Sequence, residues 1–518
     1  MAQDADGGAF DEEVAPAGFP MTDGFGMASF GEPVAAGPVA VQVCTGLSCR
    51  LAGAETLLDA AHECGLVVEH SSCQASCDRA PVMARDHETL VEVSAADIKR
   101  SRGDRGALDS AEAPLSKGWS GRVWPTTGPL ESCVFNLAAA PDWSARASIL
   151  ARKMGADAVI EAIQQSGLQG RGGAGFPAAV KWKAVRGQVE LKRYVVLNAD
   201  EAEPGTFKDR ELLLRRPDLV LEGLAIAARV VGASEIFLYL RAAFQEPKRV
   251  LEESLERAKN AGLYSELKFH VHVGHGGYIC GEETALLESL EGKREQPREK
   301  PPYPTESGLW GKPTLIQNVE TIACVPAILL RGAAWFRELG RTQPGTKLYC
   351  ISGHVAQPGV YELPLGVSLD ELVEAAGGYI GRLKAFSPGG ASSGFLPASE
   401  RKRPLDFHAL AEVGCMLGSA GVVVLNESVD MAWAAAEQLE FFERESCGKC
   451  SACRIGTSYQ RHLLSGYMAK RRTQEGQDSL ARVDKVAEDM REGSICGLGQ
   501  TASLPLTSAL RHFPNDFE

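Results

Sequence analysis

GRGGAGFPAAVKWKAVRGQVELKRYVVLNADEAEPGTFKDR, residues 170–210, governs how the rest of the chain is read. It opens with small residues around Arg171, passes through Lys181 and Trp182, and crosses an apolar run, Tyr194 to Leu197. It ends in an acidic turn holding Asn198, Asp200, Glu201 and Glu203. Small residues let backbone amides approach phosphate oxygens closely, and a nearby cation adds to the attraction. An amide and carboxylates after a strand suit a ligand hydrogen-bonded along its edge or ribose. The stretch reads as a nucleotide or flavin cradle, with a plain glycine-rich connector as the alternative. Gly170, Gly172 and Gly175 also satisfy G-x-G-x-x-G, but the usual dinucleotide fingerprint follows a strand. Here the preceding residues 157–168, DAVIEAIQQSGL, have helical periodicity, so an ordinary NAD turn is not expected.

At 518 residues, several domains of ~100–200 residues are expected. The apolar share of 44% and charged share of 23% are those of globular proteins. A net charge of −13 argues against nucleic acid and anionic membranes as partners. No apolar run approaches the ~18 residues of a membrane-spanning helix, so no membrane insertion is expected. No Lys or Arg precedes Arg50, so a secretory signal is not expected either. Fourteen cysteines, eight of them in the metal-type clusters described next, suggest metal rather than a disulfide scaffold, and a cytoplasmic location.

Residues 1–38 are Gly-, Ala-, Pro- and acid-rich and read as a disordered acidic tail. From 39 to 98, two short strand-like runs deliver Cys44-x4-Cys49 and Cys73-x3-Cys77. Four thiolates brought together select zinc or an iron–sulfur cluster, and spacings wider than the C-x2-C zinc knuckle lean toward [2Fe–2S]. Cys64 falls on a helical segment and reads as packed. Residues 99–144 read as a linker. From 145 to 340 helices and strands alternate, as in an α/β domain with a parallel or mixed sheet. A second informative place, residues 270–283 (HVHVGHGGYICGEE), runs from a strand into an acidic helix start. Further on come KPPYP, 300–304, and GKPTLIQNVET, 311–321. Residues 341–426 read as a small β-rich domain without visible chemistry, with Cys350 and Cys415 structural. Residues 427–518 are helical and hold Cys447-x2-Cys450-x2-Cys453 with a distant Cys496. That pattern is a [4Fe–4S] signature, although a tetrahedral zinc site could also use four thiolates.

Taken together, GRGGAGFP, KW, NADEAEPGTFKDR, GGYICGEETALLESLEGK, KPPYP and ESCGKC with its distant cysteine resemble the flavin-bearing, NADH-oxidising subunit of complex I. The same fold serves NAD-reducing hydrogenases and NAD-dependent formate dehydrogenases. The resemblance covers residues 145–518 closely, and 39–98 through a fused ferredoxin domain whose intervening stretch is shorter here. The ending SICGLGQTASLPLTSALRHFPNDF looks most like the β (diaphorase) subunit of molybdenum- or tungsten-dependent formate dehydrogenases.

The resemblance implies a multidomain α/β protein. Its parts would be a thioredoxin-like ferredoxin domain, a Rossmann-like FMN domain, a small ubiquitin-like β domain and a C-terminal helical bundle with an iron–sulfur cluster. It implies FMN on Gly170, Gly172, Lys181, Asn198, Asp200, Glu201, Gly281, Glu282, Glu283, Asn318 and Thr321. The nicotinamide nucleotide would stack against Phe176 and Tyr303, with Gly173, Glu203, Glu283 and Lys300 binding it and Glu203 as the catalytic residue. Cys44, Cys49, Cys73 and Cys77 would hold [2Fe–2S]; Cys447, Cys450, Cys453 and Cys496 would hold [4Fe–4S]. Two departures from the family pattern stand out: Gln317 replaces a second Asn, and Ala184 replaces an aromatic that packs on adenine.

The implied activity is an NAD(H):FMN diaphorase, reducing NAD⁺ with electrons from formate oxidised by a molybdopterin- or tungstopterin-bearing α subunit. A small ferredoxin-like subunit would complete the complex. The alternatives are a diaphorase serving a hydrogenase or a quinone oxidoreductase, a non-catalytic electron-wiring scaffold, and a zinc-binding interaction protein.

Overall fold

The computed structural model describes residues 40–85, 88–100, 123–124, 133–137 and 139–518. The tail expected over 1–38 lies outside these residues, as does most of the segment read as a linker.

The first layer is a four-stranded sheet of β1 (Ala40–Cys44), β2 (Val67–Ser71), β3 (Val82–Arg85) and β4 (Glu88–Val91), in the order β2-β1-β3-β4. β1 and β2 run parallel because the helix Ala54–Glu63 carries the chain back between them, whereas β3 and β4 are antiparallel. This is the expected thioredoxin-like arrangement. It places Cys44 at the end of β1 and Cys73 and Cys77 just beyond β2. β5 (Val123–Trp124) belongs to the segment read as a linker and pairs with a strand formed far downstream.

The second sheet is wholly parallel: β6 (Tyr194–Ala199), β7 (Glu235–Leu240), β8 (Lys268–Val273) and β9 (Thr314–Asn318), in the order β8-β7-β6-β9. The run YVVLN is largely apolar because β6 has neighbours on both edges and helices over its faces. Strand order reverses between β6 and β9, where Asn198 and Asn318 lie side by side in register. Ligands of doubly wound sheets bind at the carboxyl ends of strands at this switch point, since the two crossovers leave on opposite faces and open a crevice.

The third sheet combines β10 (Thr346–Gly353), β11 (Gly359–Pro364), β12 (Leu383–Ser387), β13 (Leu396–Pro397) and β14 (Gly421–Asn426). Its order is β13-β12-β14-β10-β11-β5. A hairpin, the helix Leu369–Ala375 and a last strand parallel to the first give the expected ubiquitin-like core. Beyond it, helices Met431–Glu445, Ser451–Ala469, Val483–Gly493 and Leu504–His512 form the C-terminal bundle.

Buried ion pairs join the layers. Lys208 lies 2.7 Å from Asp209 and 3.1 Å from Glu320, which also binds Lys347 of β10. Arg210 is buried and forks onto Asp78 at 2.9 and 3.1 Å, with further bonds to the Ala75 carbonyl and the Ser76 hydroxyl. Desolvation makes such pairs poor sources of net stability, but removing one partner strands the other, so they fix the docking register. Among the described residues no helix is long and apolar enough to cross a membrane.

Candidate functional site

A cavity of about 780 Å³ opens at the switch point, within the range of small-ligand and cofactor sites. Each of the sixteen residues expected to touch FMN or nucleotide lines it, from Gly170 and Phe176 to Asn318 and Thr321, as do Ala184 and Gln317. The glycine loop is not a strand–helix turn. It connects helix Ala156–Ser166 to helix Ala178–Arg186 and is closed by the Gly170 amide on the Phe176 carbonyl at 2.8 Å. Its floor is set by the Arg171 amide, which donates to Thr321 Oγ1 at 2.8 Å.

The two asparagines at the strand ends act as braces. Asn198 Nδ2 donates to the Gly281 carbonyl at 2.9 Å, and its Oδ1 accepts from the Asp200 amide at 3.1 Å. Asn318 caps helix Val319–Arg331 through the Glu320 amide and donates to Asp209 at 2.6 Å.

Three acids of the turn occupy different settings. Glu201 accepts from the Asp209 and Arg210 amides at 2.8 and 3.1 Å, capping helix Lys208–Arg215, and burial pushes it up to about 8. Burial also raises Glu203, against hydrogen bonds from the Tyr278 hydroxyl (2.6 Å), the Ser392 amide (2.8 Å) and the Ser392 hydroxyl (3.0 Å). Asp200 is buried with neither carboxylate oxygen hydrogen-bonded, and burial pushes it up to about 7 against the pull of Arg241. Buried polar atoms are nearly always paired, so two orphaned acceptors in a cavity wall point to a hydroxyl-bearing ligand such as a flavin's ribityl chain.

That penalty gives a measurable pH dependence. Between the ordinary carboxyl range and pH 7 the folded protein keeps a proton that the unfolded chain has lost. Stability therefore falls as pH rises through this window and levels off above it. Asp200→Asn is expected to stabilise the flavin-free protein by roughly 2–4 kcal/mol at pH 8 and to give no gain near pH 4, measured by urea unfolding. An equal gain at both pH values would contradict the assignment.

On the outer side of the cavity, Lys181 pairs with Glu283 at 2.5 Å, and Lys300 bridges Glu282 (2.8 Å) and Glu283 (3.2 Å). Burial works against ionisation of Glu283, yet the two lysines hold it below the usual carboxylate range. Phe176 and Tyr303 stay 48% and 52% exposed at the mouth. Two open rings beside this lysine–glutamate cluster offer faces on which a planar ligand can stack.

The small β domain, read as free of chemistry, supplies part of this wall: Gly389, Ser392, Met416, Gly418 and Ser419. Tyr278 is a further wall residue that sequence reasoning did not single out, although it sits inside the motif GGYICGEE.

The C-terminal thiols reach the same cavity through Cys496. Cys447, Cys453 and Cys496 are buried in one apolar cluster, with Cys450 packed on it. Burial raises the first three, Cys496 up to about 12. Gly499 permits this convergence, since a Cβ there would lie 2.3 Å from Ser494 Oγ and 2.9 Å from Cys453 Cβ. Cys496, Gly497 and Leu498 themselves line the cavity. In the N-terminal domain Cys44, Cys49, Cys73 and Cys77 are all buried, with Cys73 and Cys77 Sγ atoms 3.7 Å apart. All four thiols are free, as are the C-terminal four. Among the described residues no three such side chains close around a single ion. Cluster thiolates are spread over several irons and stand farther apart.

Comparisons with known proteins agree with this geometry. The model of the Nuo51 FMN-binding domain matches residues 163–327, that of the NADH-ubiquinone oxidoreductase-F iron–sulfur binding region 433–518, and that of the SLBB domain 348–396. The chain is 46% identical over 376 residues to the NADH-quinone oxidoreductase F-subunit 2 of Rhizobium meliloti (strain 1021), covering 70% of this chain and 88% of that protein. It is 41% identical over 390 residues to the corresponding F-subunit of Rickettsia rickettsii (strain Sheila Smith), covering 73% and 91%. A chain of an NAD⁺-reducing [NiFe]-hydrogenase, solved in the H2-reduced state, superposes with a TM-score of 0.84 at 34% identity, covering 95% of this chain and 86% of that one. An FMN-binding domain, a small β domain and a helical [4Fe–4S] region thus follow in the order the fold presents them, and the chain belongs to the NADH-quinone oxidoreductase F-subunit family, the flavoprotein subunits of complex I-like enzymes.

Proposed function

We propose that this chain exchanges electron pairs with NAD(H) in the switch-point cavity and passes single electrons to a partner through two iron–sulfur clusters. The observation that carries this is the presence of Cys496 in the wall of the cavity that also holds the glycine loop and acidic turn. FMN, when bound, converts between hydride and one-electron transfer.

The chain's own residues have the tasks of holding and aligning. Gly170, Gly172, Asn198, Asp200, Gly281, Glu282, Asn318 and Thr321 form the flavin cradle, while Glu201 shapes it from behind by capping the helix beneath. Phe176 and Tyr303 stack the nucleotide over it, with Gly173 allowing close approach. Lys181 and Lys300 hold negative charge at the mouth, each poised by Glu283. Glu203, oriented by Tyr278 and Ser392, provides the acidic wall beside the reacting rings. Cys447, Cys450, Cys453 and Cys496 hold [4Fe–4S]; Cys44, Cys49, Cys73 and Cys77 hold [2Fe–2S]. No strong acid or base is required, so geometry and electrostatics carry the rate.

The terminal substrate belongs to a partner chain. The likeness to a hydrogenase chain over 95% of this sequence, N-terminal domain included, supports a hydrogenase type of partner, and the identity to the F-subunit proteins supports a quinone-linked one. The formate-oxidising α subunit with molybdopterin or tungstopterin is supported by the C-terminal ending alone.

The test uses the complex captured with this chain under anoxic conditions. NADH is expected to bleach the flavin, and hydrogen, formate and a quinol are then offered in turn as donors for NAD⁺ reduction. The donor that works identifies the partner. A bound flavin that NADH does not bleach would overturn the diaphorase reading in favour of the scaffold.

A further inference from the structure

Arg241 follows β7 directly, at the carboxyl end of the parallel sheet. It is 5% exposed. Nη2 donates to the Cys73 carbonyl at 2.5 Å, and Nη1 donates to the Glu201 carbonyl. Its Nε has no partner, and among the described residues no carboxylate lies within ion-pair distance of the guanidinium. One buried cation therefore ties the N-terminal thiol loop to the acidic turn of the flavin cavity while lacking a neutralising partner of its own.

A guanidinium in such a place is costly unless negative charge surrounds it. Two buried carboxyl groups beside it feel its field, Asp200 and Glu445. Glu445 completes the junction, accepting from Ser72 Oγ on one oxygen and from the Tyr278 amide, at 3.0 Å, on the other. Asp200, which lines the cavity, has neither oxygen hydrogen-bonded. The largest charge available is the N-terminal cluster itself. Four thiolates and two sulfides outweigh two ferric irons, so the cluster is anionic when oxidised and more so when reduced.

We propose that Arg241 is the counter-charge of the N-terminal cluster, shared with the flavin cavity, and that it holds the cluster's reduction potential up. A fixed cation beside the Cys73 ligand loop favours the added electron, and its second hydrogen bond keeps that cation against the flavin turn. The inference rests on the [2Fe–2S] reading of Cys44, Cys49, Cys73 and Cys77. It assigns Arg241 a positioning and electrostatic role, without contact to substrate.

The experiment is an anoxic redox titration of the intact complex followed by electron paramagnetic resonance, which reads each cluster separately. Arg241→Gln keeps a donor for the carbonyls and loses the charge; Arg241→Lys keeps the charge. The Gln variant is expected to shift the N-terminal cluster's equilibrium toward the oxidised state by about tenfold, about 59 mV for one electron. The Lys variant is expected to move it by less than a third of that, with the C-terminal cluster unmoved in both. If Gln prevents cluster assembly while Lys assembles it at the wild-type potential, the charge requirement also stands. A Gln variant with an intact cluster at the wild-type potential would overturn the inference, as would equal shifts in Gln and Lys, or loss of the cluster in both. Absence of any N-terminal signal in the wild-type complex would instead overturn the [2Fe–2S] reading on which the inference is built.

Discussion

Cys496→Ser is expected to remove the C-terminal cluster signal and to slow NAD⁺ reduction by the complex's own donor about a hundredfold or more, while NADH still bleaches the flavin. Soft iron sites prefer thiolate, and a serine hydroxyl neither ionises readily nor binds iron comparably. Cys496 lies between the cavity and its companions, since it lines the cavity and packs in one apolar cluster with Cys447 and Cys453. Its loss therefore breaks the route between flavin and partner without touching Asn198, Asp200 or Lys181. A cluster held by Cys453 and Cys496 would also tie the helices Ser451–Ala469 and Gly497–Thr501 together. A lower melting temperature of the C-terminal bundle should accompany the loss. The paired readouts are iron content with electron paramagnetic resonance, and flavin absorbance under NADH. Full activity of the Cys496→Ser variant would remove Cys496 from the ligand set.

Gly172→Val should reduce flavin content to roughly a tenth or less and destabilise the fold by about 1–3 kcal/mol. A Cβ at this position would already lie 3.0 Å from Asn318 Cβ and 3.4 Å from Asn318 Cγ. Valine adds two further carbons with no room to turn, because Asn318 is held by the Glu320 amide on one side and Asp209 on the other. Either the glycine loop lifts into the flavin site or the asparagine leaves its cap. Both outcomes block the cradle. The measurement is flavin released by acid from purified protein, set against a urea melt. Retention of a full complement of flavin would show that the loop is not the cradle.

The sequence carried the site largely through motifs that cluster chemistry locally. NADEAEPGTFKDR and HVHVGHGGYICGEE each run from a strand end into the turn after it, so a short window contains both the strand and its ligand-facing residues. The topology that unites them was less visible. Asn198 and Asn318 are 120 positions apart and become neighbours only because β9 returns beside β6. The contribution of the small β domain could not be read at all. Gly389, Ser392 and Met416 carry no charge or metal-binding pattern, and Ser392 matters because its amide and hydroxyl meet Glu203 across the domain boundary. The segment read as a linker contributes β5 at a sheet edge and the buried Phe135, whose amide donates to Glu362 more than two hundred residues downstream. Arg241 stands outside every motif read in the sequence. Its burial between Cys73 and Glu201 depends on docking of the N-terminal domain, which has no local signature.

The most direct measurement is an anoxic titration of the assembled complex with NADH, reading flavin absorbance and iron–sulfur paramagnetic resonance on the same sample. The flavin is expected to bleach first and electrons then to appear on the clusters, with Cys496→Ser abolishing only the C-terminal cluster's signal. A flavin that remains oxidised under excess NADH would contradict it.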